Sequence, residues 1–197
     1  TAAKVVIFKN QNVINSTSSN KETLFGNHYL KQLKVAYKSV YKKPFPAMDH
    51  FYKEQFLATM LEVMEDNKTL LNDASIEFKG LIPATYASQL SHKFSNLNLG
   101  IKLKFTAPTD LLRNQFNAPD DWETQSIMRF QENSWNKNDA IFDARSTVNN
   151  KPAFRYITPL YHKKMCLGCH GQLKDNILNR NKPEGLWSQY DIAGFPM

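Results

Sequence analysis

The run Cys166-Leu167-Gly168-Cys169-His170 constrains this chain more than any other feature. It holds the only two cysteines of the 197 residues, three positions apart and followed at once by a histidine. That order is the attachment signature of a c-type haem. Two intervening residues let both sulfurs reach neighbouring vinyl groups of one haem. The next residue then sets its imidazole beneath the iron, where histidine is a usual proximal ligand. One covalent haem c is therefore expected, held by Cys166 and Cys169 with His170 as an axial ligand. A chain built this way must fold around the group, because the haem would supply much of its core. Other uses of the pair fit less well. A redox-active Cys-x-x-Cys pair belongs near the start of a helix in a βαβ setting, whereas this one follows a hairpin pattern. Half a zinc site would need two more ligands, and neither a second Cys pair nor a suitably spaced His pair exists. A plain disulfide across so short a loop would leave His170 without a role.

The length suits a single domain with one real core. Hydrophobic residues make up 42% and aromatics 12%, which is ordinary for a folded globular chain. No stretch approaches the roughly 20 apolar residues that span a bilayer, and the longest near-apolar run, 56–64, is broken by Thr59 and Glu62. The net charge of +7 raises the question of nucleic acid. The lysines, however, are scattered in pairs such as Lys42-Lys43 and Lys163-Lys164, without a block or a nucleic-acid motif, so a solvated basic surface is expected instead. Two haem propionates would cancel part of that charge. The chain starts at Thr1 with no leader, which reads as an exported chain after trimming. An upstream membrane anchor or signalling module outside these residues is equally compatible.

Along the chain, residues 1–26 read as a polar N-terminal segment, with Asn15 to Asn20 as a loop. A single domain is expected over 27–197. Leu30, Leu33, Tyr37 and Val40 fall at helical spacing from His28 to Tyr41, and Pro44 and Pro46 end that helix. A second helix is predicted from Met48 to Asp66, with Tyr52, Phe56, Met60 and Val63 on its apolar side. Pro83 suits the first turn of a third, lined by Tyr86, Leu90 and Phe94. Ile101, Leu103 and Phe105 alternate with polar residues and predict a half-buried strand. Pro119 and the acidic pair Asp120-Asp121 open a helix reaching about Gln131, since acids favour the positive helix N-terminus. Residues 140–148 and 153–161 read as two strands joined by a hairpin loop at 149–152. The class is α+β, helices first and then a small antiparallel sheet.

These residues also carry a family resemblance. Gly80-Leu81-Ile82-Pro83-Ala84 opens a helix. Arg113-Asn114-Gln115-Phe116-Asn117-Ala118-Pro119-Asp120-Asp121-Trp122-Glu123 is close to an Arg-Asn-Pro-x-Asn-x-Pro-x-x-x-Glu run, and Cys166 to Gly171 is followed by Tyr190-Asp191-Ile192-Ala193-Gly194. Over roughly residues 80–194 the chain resembles the PAS-like c-type-haem sensor domains, found free or as extracytoplasmic parts of bacterial histidine kinases and chemotaxis receptors. The resemblance implies a PAS-like antiparallel sheet with N-terminal helices, a C-terminal haem-attachment loop and a periplasmic or otherwise extracytoplasmic bacterial location. Gln115 stands where the family has proline. No third cysteine is present to act as the distal ligand some members use, and the Gly-rich closing strand has no counterpart before Met197.

The distal ligand must therefore come from local residues. His92, on the helix that starts at Pro83, is the first candidate, followed by His50 and His28. Met48, Met60 and Met64 offer thioethers, and an open sixth position is also compatible. For each histidine, a structural or exposed role is the ordinary alternative. Arg113 could bind a haem propionate through a two-pronged bond, or it could brace its loop together with Asn114 and Asn117. No Ser/His/Asp set, phosphate loop or paired-carboxylate site stands out, so a non-enzymatic binding module is expected. The first functional expectation is a sensor responding to redox state or a diatomic gas. The second is a monohaem electron-transfer cytochrome with a redox partner, and a haem enzyme such as a peroxidase is the third.

Overall fold

A computed structural model describes residues 1–18, 20–109, 112 and 115–161, without the side chain of Phe116. The chain divides into two compact units, Thr1–Phe105 and Thr106–Met197. The first is helical: α1 (Ala2–Lys9), α2 (Gln11–Ile14), α3 (Gly26–Tyr41), α4 (Phe51–Asp66), α5 (Lys68–Asn72) and α6 (Pro83–Ser95). The second contains α7 (Asp121–Phe130) and the strands β1 (Ile141–Val148) and β2 (Lys151–Ile157). Helices with a two-stranded antiparallel sheet are the α+β class that the sequence predicts.

In the first unit α1 packs on α3 and α6, and α4 on α6 and α3. The pattern within each helix explains this. In α3 the buried residues Tyr29, Leu33 and Ala36 recur at four and three positions, and in α6 Tyr86, Leu90 and Phe94 recur at four, each forming one apolar stripe. The Tyr29 and Tyr86 rings meet edge to face at 6.3 Å, and the Tyr86 hydroxyl donates to the Met60 carbonyl at 3.1 Å. Burial pushes both phenols up from their ordinary range. Pro83 occupies the first turn of α6 as expected. Just before it, Gly80 adopts φ +69°, a left-handed conformation that would strain a residue with a Cβ. α4 begins at Phe51 rather than Met48, because His50 caps it: the ring Nδ1 accepts from the Tyr52 N–H at 3.4 Å. Tyr52, expected on the apolar side, is exposed.

Two expectations need correction. Residues 1–26 are not merely polar, since α1 and α2 lie within them and bury Ala2, Ala3, Val6, Ile7 and Ile14 in the core. Residues 101–105 do not form a strand. Here the hydroxyls of α6 do what a partner strand would do. Ser95 Oγ accepts from the Leu103 N–H at 3.0 Å, and Ser91 Oγ donates to the Leu103 carbonyl at 2.5 Å. Both backbone groups of Leu103 are thus satisfied without a ladder.

A buried lysine closes the loop after α2. The Lys21 Nζ donates to the carbonyls of Ile14 at 2.9 Å and Ser16 at 3.0 Å, and also to that of Leu71. Lys79 is similarly buried, its ammonium on the carbonyls of Asp73 and Ile76. Loss of hydration lowers the Lys21 pKa, and the neighbouring Lys79 charge adds to the shift.

Candidate functional site

The expected attachment residues Cys166, Cys169 and His170, and Arg113, lie outside the described residues. What the structure does describe is the frame just upstream of the attachment run, in the second unit. Its first part is the start of α7. Asp120 caps the helix by accepting from the Glu123 N–H at 2.9 Å, while the Glu123 carboxylate accepts from the Asp120 N–H at 2.9 Å. This capping box accounts for the acid-rich end of the Arg113–Glu123 run.

The second part is the hairpin. Asn149 and Asn150 both adopt positive φ, 51° and 61°, and pair Val148 with Lys151 across a two-residue turn. The loop is thus tighter than the expected 149–152. Asparagine tolerates that conformation, and the turn's twist matches that of the strands. Between the pairs Asp143–Arg155 and Ser146–Ala153, the residues Ala144 and Arg145 face Phe154 alone, a β-bulge.

Arg155 fastens the two parts together. From β2 its guanidinium reaches Asp120 Oδ2 at 2.7 Å and Glu123 Oε1 at 3.4 Å, and it lies over the Trp122 ring at 4.4 Å from the centroid. At the other end of α7, the Tyr161 hydroxyl donates to the Phe130 carbonyl at 2.9 Å, and Phe130 meets Trp135 edge-on at 5.2 Å. The backbone is therefore anchored at Tyr161, five positions before Cys166 (166 − 161). Neither Arg155 nor Tyr161 stands out in the sequence. An arginine on the polar positions of a strand gives no sign of which acid it will meet.

Asp120→Ala should remove the cap and one arm of this clamp together. A loss of about 1–2 kcal/mol in unfolding free energy is expected from the cap. A urea denaturation midpoint equal to wild type would contradict the arrangement.

His92 lies elsewhere, in the last turn of α6, exposed, with Nδ1 3.3 Å from Asn96 Nδ2. It borders an open groove of about 420 Å³ between α4 and α6, lined also by Val63, Asp66, Asn67, Gln89 and Lys93. The groove is polar and internally paired. Asn67 Nδ2 donates to Gln89 Oε1 at 2.7 Å, and Lys93 pairs with Asp66 at 2.6 Å and Glu62 at 3.3 Å. The Asp66 hydrogen bond raises the Lys93 pKa. Of the other candidate ligands, His50 is the α4 cap, His28 is exposed on α3, and Met64 is buried in the core. Among the described residues, no cluster of His, Cys, Asp or Glu could hold a metal ion by itself. No helix among them is long and apolar enough to cross a membrane.

Two features of the described residues are compatible with haem binding. Trp135 Nε1 is buried and has no hydrogen-bond partner, an orphan donor of the kind a carboxylate can satisfy. One face of the hairpin carries exposed aromatic rings. A family model described as Tll0287-like (Tll0287) matches residues 2–195. No curated protein and no solved structure matches the chain.

Proposed function

Since this chain belongs to the Tll0287-like family, we propose that it is an extracytoplasmic sensor domain that carries one covalent c-type haem and responds to redox state or a diatomic gas. The family points to a haem-binding domain. The observation that carries the finer reading is the run Cys166 to His170, whose two thiols and imidazole are the donor set for thioether attachment and axial ligation. The resemblance of residues 80–194 to PAS-like sensors supports both the sensing role and a PAS-like arrangement. The reading is of a binding role rather than a catalytic one.

When bound, the haem would supply a redox-active iron whose ligation decides between ligand binding and electron transfer. The protein's part is to hold it. Cys166 and Cys169 would fix the macrocycle to the chain and His170 would ligate the iron. The clamp of Arg155 on α7 and the Tyr161 anchor limit where the attachment segment can reach. Arg113 is the candidate for a propionate, and His92 for the sixth iron position.

Expression behind an export leader with c-type maturation machinery tests the reading. The exported protein is expected to keep its colour in acid–acetone and to show a haem spectrum that changes on reduction. The same residues made in the cytoplasm without that machinery should be mostly colourless, and efficient cytoplasmic loading would overturn the location. Carbon monoxide then separates the modes. Direct binding to the ferrous wild type means an open site and favours gas sensing. If the wild type refuses the gas, His92→Ala is expected to admit it, and an unchanged spectrum in that variant removes His92 as ligand.

A further inference from the structure

We propose that the aromatic face of the β1–β2 hairpin, formed by Phe142, Phe154 and Tyr156, is one wall of the haem site. The proposal rests on the haem reading above. It starts from side-chain alternation. Phe142 pairs directly with Tyr156, and Phe154 lies two positions from Tyr156, so the three rings share one face of the sheet. Phe142 and Phe154 lie nearly parallel, with centroids 6.3 Å apart and an interplanar angle of 24°. The opposite face is engaged, since Arg155 points from it to Asp120, Glu123 and Trp122. Yet Phe142, Phe154 and Tyr156 keep 67%, 67% and 63% of their surface exposed.

Rings of this size each bury roughly 150–250 Å² when covered, and a two-stranded hairpin is marginal in water by itself. A flat, broad, apolar partner suits the face, and the macrocycle is one. Its tether keeps it close. Cys166 follows the end of β2 at Ile157 by nine positions (166 − 157), a length that spans at most about 30 Å fully extended. Over so short a leash, docking is intramolecular and the effective concentration is on the order of millimolar. No free partner needs to compete with it.

The exported holoprotein with ring-labelled phenylalanine and tyrosine provides the test, with signals assigned through Phe142→Leu, Phe154→Leu and Tyr156→Leu. Nuclear magnetic resonance spectra of the ferric and ferrous states should show all three rings shifting with the spin of the iron. Phe154→Ser should lower the Soret circular dichroism, which arises from coupling to nearby rings, while haem stays on the denatured chain. Rings that do not shift in a protein carrying covalent haem overturn the wall assignment and leave the haem reading intact. A Phe154→Ser change that turns a dimer into a monomer with an unaltered Soret band assigns the face to a second copy and also overturns it. Haem that leaves the protein in acid–acetone sinks the haem reading itself.

Discussion

Replacing Cys166 and Cys169 together by alanine is expected to abolish haem retention through acid–acetone extraction. Each single replacement should leave one thioether and a lower yield of loaded protein. The expectation follows from the proposed attachment, in which each sulfur would form a covalent link to one vinyl group, and no other cysteine in the 197 residues can substitute. The loss should extend to folding, because a tethered haem packed in the native state would bury apolar surface that the unfolded chain leaves in water. The double variant should thus unfold at a lower urea concentration than the holoprotein. Undiminished colour in the extracted double variant would refute the attachment.

Lys21→Met should strongly destabilise the first unit. The side chain has only 1% of its surface exposed, and its ammonium serves the carbonyls of Ile14, Ser16 and Leu71. Methionine fills a similar volume and spares the desolvation of a charge, but it leaves those acceptors unpaired. Each buried unsatisfied acceptor costs roughly 1–3 kcal/mol, so a net loss of about 3 kcal/mol is expected after the desolvation saved is set against it. Urea denaturation followed by far-ultraviolet circular dichroism reads it directly. A midpoint equal to wild type would mean that water satisfies the carbonyls just as well.

The helices that advertised themselves in the sequence are those with one wet face. In α3 and α6 lysines and polar residues separate the apolar positions, so the period is visible. α1 shows no such period: in Ala2–Lys9, Val5 and Phe8 are half-buried beside the fully buried Val6 and Ile7. A helix covered on most sides is apolar most of the way round, and amphipathic periodicity cannot find it. The alternation of Ile101, Leu103 and Phe105 misled for a related reason. Period two reports which side chains are covered, not what satisfies the backbone, and Ser91 and Ser95 cannot be foreseen as its partners. The proposed donor set can be picked out because haem attachment would require adjacent residues, and it lies outside the described ones. The contacts just upstream of it cannot, since Arg155 meets Asp120 across 35 positions and Tyr161 meets Phe130 across 31.

The packing of α1 sets a timetable for the nascent chain. α1 is made first among these elements, yet it rests on α6, and the Gln11 side chain donates to the Leu81 carbonyl at 3.0 Å across 70 positions. Synthesis runs at about 5–20 residues per second, so α1 must wait several seconds for its partner to emerge. During that interval Val6 and Ile7 lack the cover that α6 provides, and they are available to any holding factor that meets the chain. Cys166 emerges later still. All the helices of the first unit are thus made before the two thiols that are proposed to take up a haem.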